Sequence, residues 1–530
     1  MSIQAEHERD GEKMPIQRRQ TGLFAINETD VELLDVEDRK TDELVIGFVG
    51  PIGSDISFCA NIFSQILKSQ FGYAGDTLKV SNIISKNANL LGEPVVVDTD
   101  ERRTEKLQKQ GTSLRKTFGN TYLIEKIVAQ INMDRGVNEG LPKSRRHFTI
   151  VDSIKHPDEV QRLREIYGET FWLIGIFAPE EVRRSRIVSL GRNENYVMDI
   201  FQRDEDEGIK SGQRVRDAMF LADFFIRNDG DNDINLRRTV ARFLDVMFAI
   251  GVQTPTKDES AMHAATSAAA ESACMSRQVG AVITNRDGEI IGMGNNDVPK
   301  FGGGLYSRED GDEDHRCFQW RGKICHNDSR KEDILSRITK ALREGRVFNA
   351  KSGSFDAKKQ SLAIDVLGHS DIRNLIEFSR AVHAEMEAII SVARTGRAGL
   401  IGGTLYSTTF PCHSCARHIV AAGIERVIYI EPYTKSLALN LHEDTISIHE
   451  SDIKKKVIFL QYEGVSPRNM VRLFKDRGQR KKDGKLLLTK RAEAKPVSLA
   501  PLDGFEARER LVVARLSKIE NAKAIGGKNA

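Results

Sequence analysis

The chain has 530 residues, 40% apolar and 29% charged, and its 79 lysines and arginines against 76 aspartates and glutamates leave a net charge of +3. This is ordinary soluble composition on a chain too long for one core; length alone points to roughly three or four domains. So small a net charge excludes the global cationic footprint of a dedicated nucleic-acid binder, and with no apolar signal core or membrane-length apolar run, no membrane partner is expected and the expected location is cytoplasmic. The 6 cysteines, Cys59, Cys274, Cys317, Cys325, Cys412 and Cys415, argue for a reducing compartment with metal-bound or free thiols.

Residues 1–43 read as a flexible charged lead, and residues 44–250 as a degenerate P-loop nucleotide-kinase-like domain. Residues 44–50 form a buried strand that runs into a glycine turn, Gly50-Pro51-Ile52-Gly53-Ser54-Asp55-Ile56-Ser57. A helix carrying Phe58, Ile62, Ile66 and Leu67 follows. Strand, glycine loop and helix are the layout that cradles a phosphate on backbone N–H groups and a helix N-terminus. Gly50, Gly53, Ser54 and Ser57 are the candidate nucleotide contacts. The loop departs from the intact pattern, because Asp55-Ile56-Ser57 stands where Gly-Lys-Ser/Thr is needed. Residues 148–152 read as a strand ending on Asp152, an acid placed for Mg²⁺. Strands are also expected at 171–177 and 222–228, and residues 180–186 resemble an arginine-bearing segment near a kinase lid. Alternating strands and helices imply a parallel sheet. Without the lysine, phosphoryl transfer is not expected; a packing relic and a regulatory nucleotide sensor remain open alternatives.

The chemistry-bearing signature is split. His383-Ala384-Glu385 comes first, then Pro411-Cys412-His413-Ser414-Cys415. Apolar residues at Val382, Met386, Ile389 and Ile390 give residues 381–393 a helical period, with His383 and Glu385 near its start. The positive helix end favours an ionised glutamate. Residues 404–409 read as a strand, and Pro411 suits the first turn of the next helix. Cys412 and Cys415 then lie one turn apart, so both sulfurs can face one point. Gly423 ends that helix and residues 426–430 begin another strand. Zinc prefers imidazole and thiolate in a tetrahedral shell and leaves one position to water when it is catalytic. His383, Cys412 and Cys415 fill three positions as candidate ligands, and Glu385 is left over as the candidate proton shuttle. This is the H-x-E, P-C-x-x-C pattern of zinc nucleobase deaminases.

On those residues the chain resembles the cytidine and deoxycytidylate deaminase superfamily, with the likeness running over residues 258–475. Residues 276–283 look like that family's first strand, Asp287-Gly288 forms the hairpin turn, and 292–299 look like its Gly-x-Asn-x-x-Pro element. The arrangement resembles the bacterial anti-phage dCTP/dCMP deaminases, which carry an N-terminal nucleotide-kinase-like domain. The implied architecture is α/β, a P-loop-type parallel sheet followed by a deaminase-type α/β/α sandwich. An insertion spans about residues 300–378, and 476–530 form a basic loop and C-terminal extension. The resemblance implies free cytosine deoxynucleotides as substrate, one catalytic zinc, a homo-oligomer, and regulation by a nucleotide at the N-terminal domain or by an inhibitory RNA or protein. It also assigns Arg277, Asn295, Asn296 and Tyr433 to substrate. Cys317, Cys325 and His326 offer ligands for a second, structural zinc, against the alternative of a mobile lid with ordinary thiols.

The expected chemistry is hydrolytic. Water adds to C4 of cytosine, Glu385 moves one of its protons to N3 and then helps protonate the amino group, and ammonia leaves. The implied role is depletion of the dCTP pool during phage infection. Rival readings are a housekeeping dCMP deaminase, a nucleic-acid cytosine or adenosine deaminase, a nucleotide kinase, and a non-enzymatic nucleotide sensor.

Overall fold

The computed structural model describes residues 40–97, 102–135, 145–229, 233–349, 355–397, 399–433, 435–476, 478 and 480–526. Most of the charged lead read at 1–43, and Arg477 of the basic loop, lie outside them. The first half is organised by Leu44–Val49 (β1), buried at every position. Residues buried on both sides need cover on both sides, which parallel strands obtain from crossover helices. Accordingly Ile56–Phe71 (α1) follows β1, burying Ile62, Phe63, Ile66 and Leu67, and stops at Gly72 in the left-handed conformation. Ala74–Lys79 (β2), Tyr122–Arg135 (α2), His147–Ile154 (β3), Phe171–Phe177 (β4), Phe224–Arg227 (β5) and Asp233–Met247 (α3) complete the unit. The strands lie in the order β5-β4-β1-β3-β2, all parallel.

The second half starts with Lys257–Ala270 (α4), opened by a capping box between Thr256 and Glu259. Gly280–Thr284 (β6) and Ile290–Asn295 (β7) form the expected hairpin around Asp287-Gly288. The strand expected from residue 276 begins only at Gly280. Asn296 explains this: its Oδ1 accepts from the Val279 amide at 2.7 Å and its Nδ2 donates to the Arg277 carbonyl at 2.8 Å, holding that stretch as a loop. The insertion contributes His326–Glu344 (α5). Then come Ala384–Thr395 (α6), Thr404–Thr409 (β8), His413–Ala421 (α7), Arg426–Glu431 (β9), Ile446–Ser447 (β10) and Val457–Gln461 (β11). The sheet order is β10-β11-β9-β8-β6-β7, parallel from β10 to β8 and antiparallel beyond. The α/β class expected from the sequence is the class observed.

The two halves are stitched rather than strung. Gly464–Val465 (β12) leaves the second half and adds to the first sheet, antiparallel to β5. Two fully buried carboxylates hold that crossing. Glu259 accepts from the Val465 amide at 2.9 Å and from Arg242 of α3 at 2.9 and 2.7 Å. Asp223 accepts from the Leu173 amide at 2.7 Å, Arg468 at 2.7 Å and Asn469 at 2.8 Å. The C-terminal stretch also returns to the first half. Ala500–Pro501 pairs with Lys40–Thr41, Leu502–Gly526 (α8) packs on α2, and Arg135 bridges Glu43 and Glu509 at 2.7 and 3.0 Å.

A buried carboxylate with several donors is expensive to remove, because the donors are left unpaired. Asp223→Ala should therefore destabilise the chain by about 3 kcal/mol, read as a lower urea midpoint. An unchanged midpoint would show that this crossing carries no stability.

Candidate metal centre and active site

Helix α6 sits unusually close to β7, and glycine permits it. A Cβ at Gly294 would press on the Ala388 amide nitrogen and the Ala384 carbonyl oxygen, and one at Gly292 would press on Val392 and the Ala388 carbonyl. The stretch before α6 is fixed as well: the Val382 amide donates to the Asp297 carbonyl at 2.9 Å. These constraints set His383 as the N-cap of α6 and Glu385 in its first turn. Strand β8 delivers the other half. It runs through Phe410 and Pro411 to Cys412, the N-cap of α7, whose sulfur accepts from the Cys415 amide at 3.4 Å. Pro411 therefore precedes the cap instead of occupying the first turn, because Cys412 takes the cap in extended backbone, φ −68° and ψ 164°.

Two helix starts from separate segments thus converge. His383 Nδ1 lies 3.3 Å from Cys412 Sγ and 3.3 Å from Cys415 Sγ. Among the described residues, these three are the only group of histidines, cysteines or acids whose ligand atoms lie within 4.8 Å of one another. Glu385 stands beside them, accepting from the Cys415 thiol at 3.4 Å. The protons are poised for exchange. The hydrogen bond from Cys415, with His383 next, brings the Cys412 thiol down to about 4. Its bond to Cys412 and its burial hold the Cys415 proton well above the usual thiol range. The contact with Cys412 lifts His383 to about 9, and burial pushes the Glu385 carboxyl up. A thiolate, a thiol and an imidazolium at one point become, on losing their remaining protons, the donors a zinc ion takes. Three such donors, with no fourth in the group, fit an open catalytic site and not a closed structural one.

The centre opens into a cavity of about 570 Å³ lined by His383, Glu385 and Cys412. Arg277, Asn296 and Tyr433 also line it, whereas Asn295 is buried at the end of β7 off that wall. Arg277 is ion-paired to Glu431 at 2.9 Å, and the side chain of Asn296 is spent on the backbone of the 277–279 loop. The structure does not gather Cys317, Cys325 and His326 into a second metal site. Cys317 Sγ sits 3.9 Å from Arg380 Nη1, Cys325 Sγ sits 3.5 Å from Ser276 Oγ, and the His326 ring lies 5.6 Å from that of Trp320. All three instead line the catalytic cavity. Sequence reading missed Arg380, whose guanidinium lies 3.8 Å over the Trp320 ring and donates to the His315 carbonyl at 3.0 Å, tying the insertion to the rim. It also missed Lys331 and Arg373, on the same wall and in no motif.

In the first half, Ser57 donates to Asp152 at 2.6 Å, and both line a cavity of about 560 Å³ with Gly53. Gly50 and Ser54 lie off that wall. Lys155 from the end of β3 reaches the Gly50 carbonyl at 2.9 Å, and Arg186 reaches that of Gly53 at 3.0 Å.

An open three-donor metal centre with a buried, unliganded acid is equipped to hydrolyse an exocyclic amine from a nucleobase, which places the chain among zinc-dependent deaminases. The family described as "Cytidine and deoxycytidylate deaminase zinc-binding region" matches residues 255–431. The deoxycytidylate deaminase of Enterobacteria phage T4 is 32% identical over 173 residues, 31% of this chain and 73% of that protein. The chain belongs to the deoxycytidylate deaminase family, zinc-dependent hydrolases that deaminate cytosine nucleotides. A UPF0200/UPF0201 protein of Archaeoglobus fulgidus is 28% identical over 163 residues, 30% of this chain and 50% of that protein. A crystal structure of dCMP deaminase from the cyanophage S-TIM5, in complex with dCMP and dUMP, is 18% identical, covering 40% of this chain and 99% of that one at a TM-score of 0.22.

Two outcomes test the geometry. Cys412→Ala should lose both zinc and turnover, measured by metal analysis of the purified protein; full zinc content would remove Cys412 from the ligand set. Gly294→Ala should lift α6 from β7, costing roughly 1–3 kcal/mol and lowering zinc content, whereas a fully metallated, equally stable variant would show that the close seat is unimportant.

Proposed function

We propose that this chain deaminates free deoxycytidine nucleotides, dCMP or dCTP, to deoxyuridine nucleotides, and that the reaction drains the dCTP pool in defence against phage. The observation that carries the catalytic reading is Glu385, a buried carboxylate beside the His383, Cys412 and Cys415 donors and on the cavity wall. Those three residues would hold the zinc, which when bound supplies a Lewis acid that makes water a nucleophile near neutral pH. Glu385 accepts a proton from the attacking water and passes it to N3 as C4 gains oxygen. It then delivers a proton to the amino group, and ammonia leaves while the ring carbonyl forms. Because Glu385 is buried, solvent does not compete for the proton in transit.

A free nucleotide suits the site better than a polynucleotide. The insertion walls the cavity with Cys317, Cys325 and the start of α5, and the chain carries only +3 net charge. The defence role rests on the resemblance to anti-phage deaminases in which a nucleotide-kinase-like half is joined to a deaminase half.

The deciding measurement is ammonia release from deoxycytidine, dCMP, dCTP and a cytosine oligonucleotide. Turnover is expected on dCMP and dCTP, more weakly on deoxycytidine, and not on the oligonucleotide; preference for the oligonucleotide would overturn the substrate reading. Glu385→Ala should keep its zinc and lose about 10²–10⁴-fold in rate, while retained rate would remove Glu385 from proton transfer. In phage-infected cells the wild type should lower dCTP and the Glu385→Ala variant should not; equal pools would sink the defence role.

A further inference from the structure

The catalytic cavity is larger than a pyrimidine needs, and the wall the insertion gives it has no assigned task. At about 570 Å³ it falls in the range that encloses a whole small ligand. Cys325, His326, Asn327 and Asp328, the cap and first turn of α5, build that wall together with Lys331. The cap residue Cys325 makes no side-chain bond to the first-turn amides. The open N–H groups and positive end of a 19-residue helix therefore lie on the cavity.

Independent observations on the same wall also call for a ligand. His326 Nε2 and Asn327 Oδ1 are buried atoms with no hydrogen-bond partner. Such orphans cost free energy unless something absent from the protein satisfies them. Lys331 is the stronger sign. Its side chain is only 9% exposed, and its ammonium has the Arg373 carbonyl at 3.0 Å and the Asp328 carboxylate at 3.5 Å. That carboxylate is 61% exposed, so it neutralises a buried cation poorly. Arg373 joins the wall, half-exposed and paired outward to Glu332. Of the other acids on the cavity, Glu385 belongs to the metal centre and Asp297 is engaged by Arg316 at 3.6 Å. A helix start, a buried ammonium and a guanidinium make a wall for an anion in the cavity whose metal centre handles a base.

We propose that the insertion is the phosphate-reading element of this enzyme: the start of α5, Lys331 and Arg373 hold the substrate's phosphate chain while its base lies at the metal centre. His326 Nε2 can donate to a phosphate oxygen, and Asn327 Oδ1 can accept from the sugar hydroxyl. The inference rests on the deaminase reading of the same cavity and names its specificity-determining residues.

The test compares Lys331→Gln and Arg373→Gln with wild type on dCTP, dCMP and deoxycytidine. Each variant should raise KM for dCTP about tenfold or more and leave kcat/KM for deoxycytidine unchanged. Arg373→Lys should recover part of the loss. An equal loss on deoxycytidine would mean a structural role and overturn the proposal, as would an unchanged KM for dCTP. Zinc content and urea midpoint show whether the Lys331 variant is folded; Arg373, being half-exposed, carries the test if it is not. Calorimetric titration with inorganic triphosphate separates this inference from the reading beneath it. If wild type releases no ammonia from any cytosine nucleotide, weaker triphosphate binding by Arg373→Gln still supports the phosphate wall, and unchanged binding refutes it.

Discussion

Everything at the reactive centre depends on how closely one helix lies on one strand. Glycines at 292 and 294 let the backbone of α6 touch β7 where any side chain would hold it off. His383 and Glu385 ride on the start of that helix, and the cysteines ride on the start of another, so a shift of α6 would separate imidazole from thiols. The contact presents three donors at one point, with protons a divalent cation can displace, and leaves the acid free of the ligand set.

A second constraint joins the halves. Chain from the deaminase side becomes an edge strand of the P-loop-type sheet, and Glu259 and Asp223 neutralise the donors at the seam. The cavities follow the same continuity. Pro51 of the glycine loop lines both the Ser57–Asp152 cavity and a cavity of about 370 Å³ between the sheets. Phe410 and Tyr433 line that middle cavity and the catalytic one. Phe410, two residues before Cys412, packs edge-on against Tyr429 at 4.9 Å. The middle cavity therefore shares Pro51 with the Ser57–Asp152 cavity and Phe410 and Tyr433 with the catalytic one.

Local patterns carried far where the physics is local. Strands at 171–177 and 404–409 were legible because runs of β-branched and aromatic residues have little choice of conformation, and they appear with those bounds. The metal donors were legible because thiol, imidazole and acid at fixed spacing have few other uses. Reading failed where the same residue types met different neighbours. Cys317, Cys325 and His326 look like ligands in one dimension, but ring and guanidinium contacts around Trp320 keep them apart. Asn295 and Asn296 stand side by side in sequence, yet one is buried in the strand and the other holds a loop.

The amino-acid sequence by itself determined the chemistry of the centre, the α/β class and the alternation of elements, since these depend on side-chain type and short-range periodicity. Only the tertiary structure decided that a glycine pair serves helix packing, that chain from beyond the second sheet completes the first, and that Lys331 and Arg373 line the catalytic cavity. Those facts rest on contacts between segments tens to hundreds of residues apart, and no local preference encodes which distant backbone will arrive.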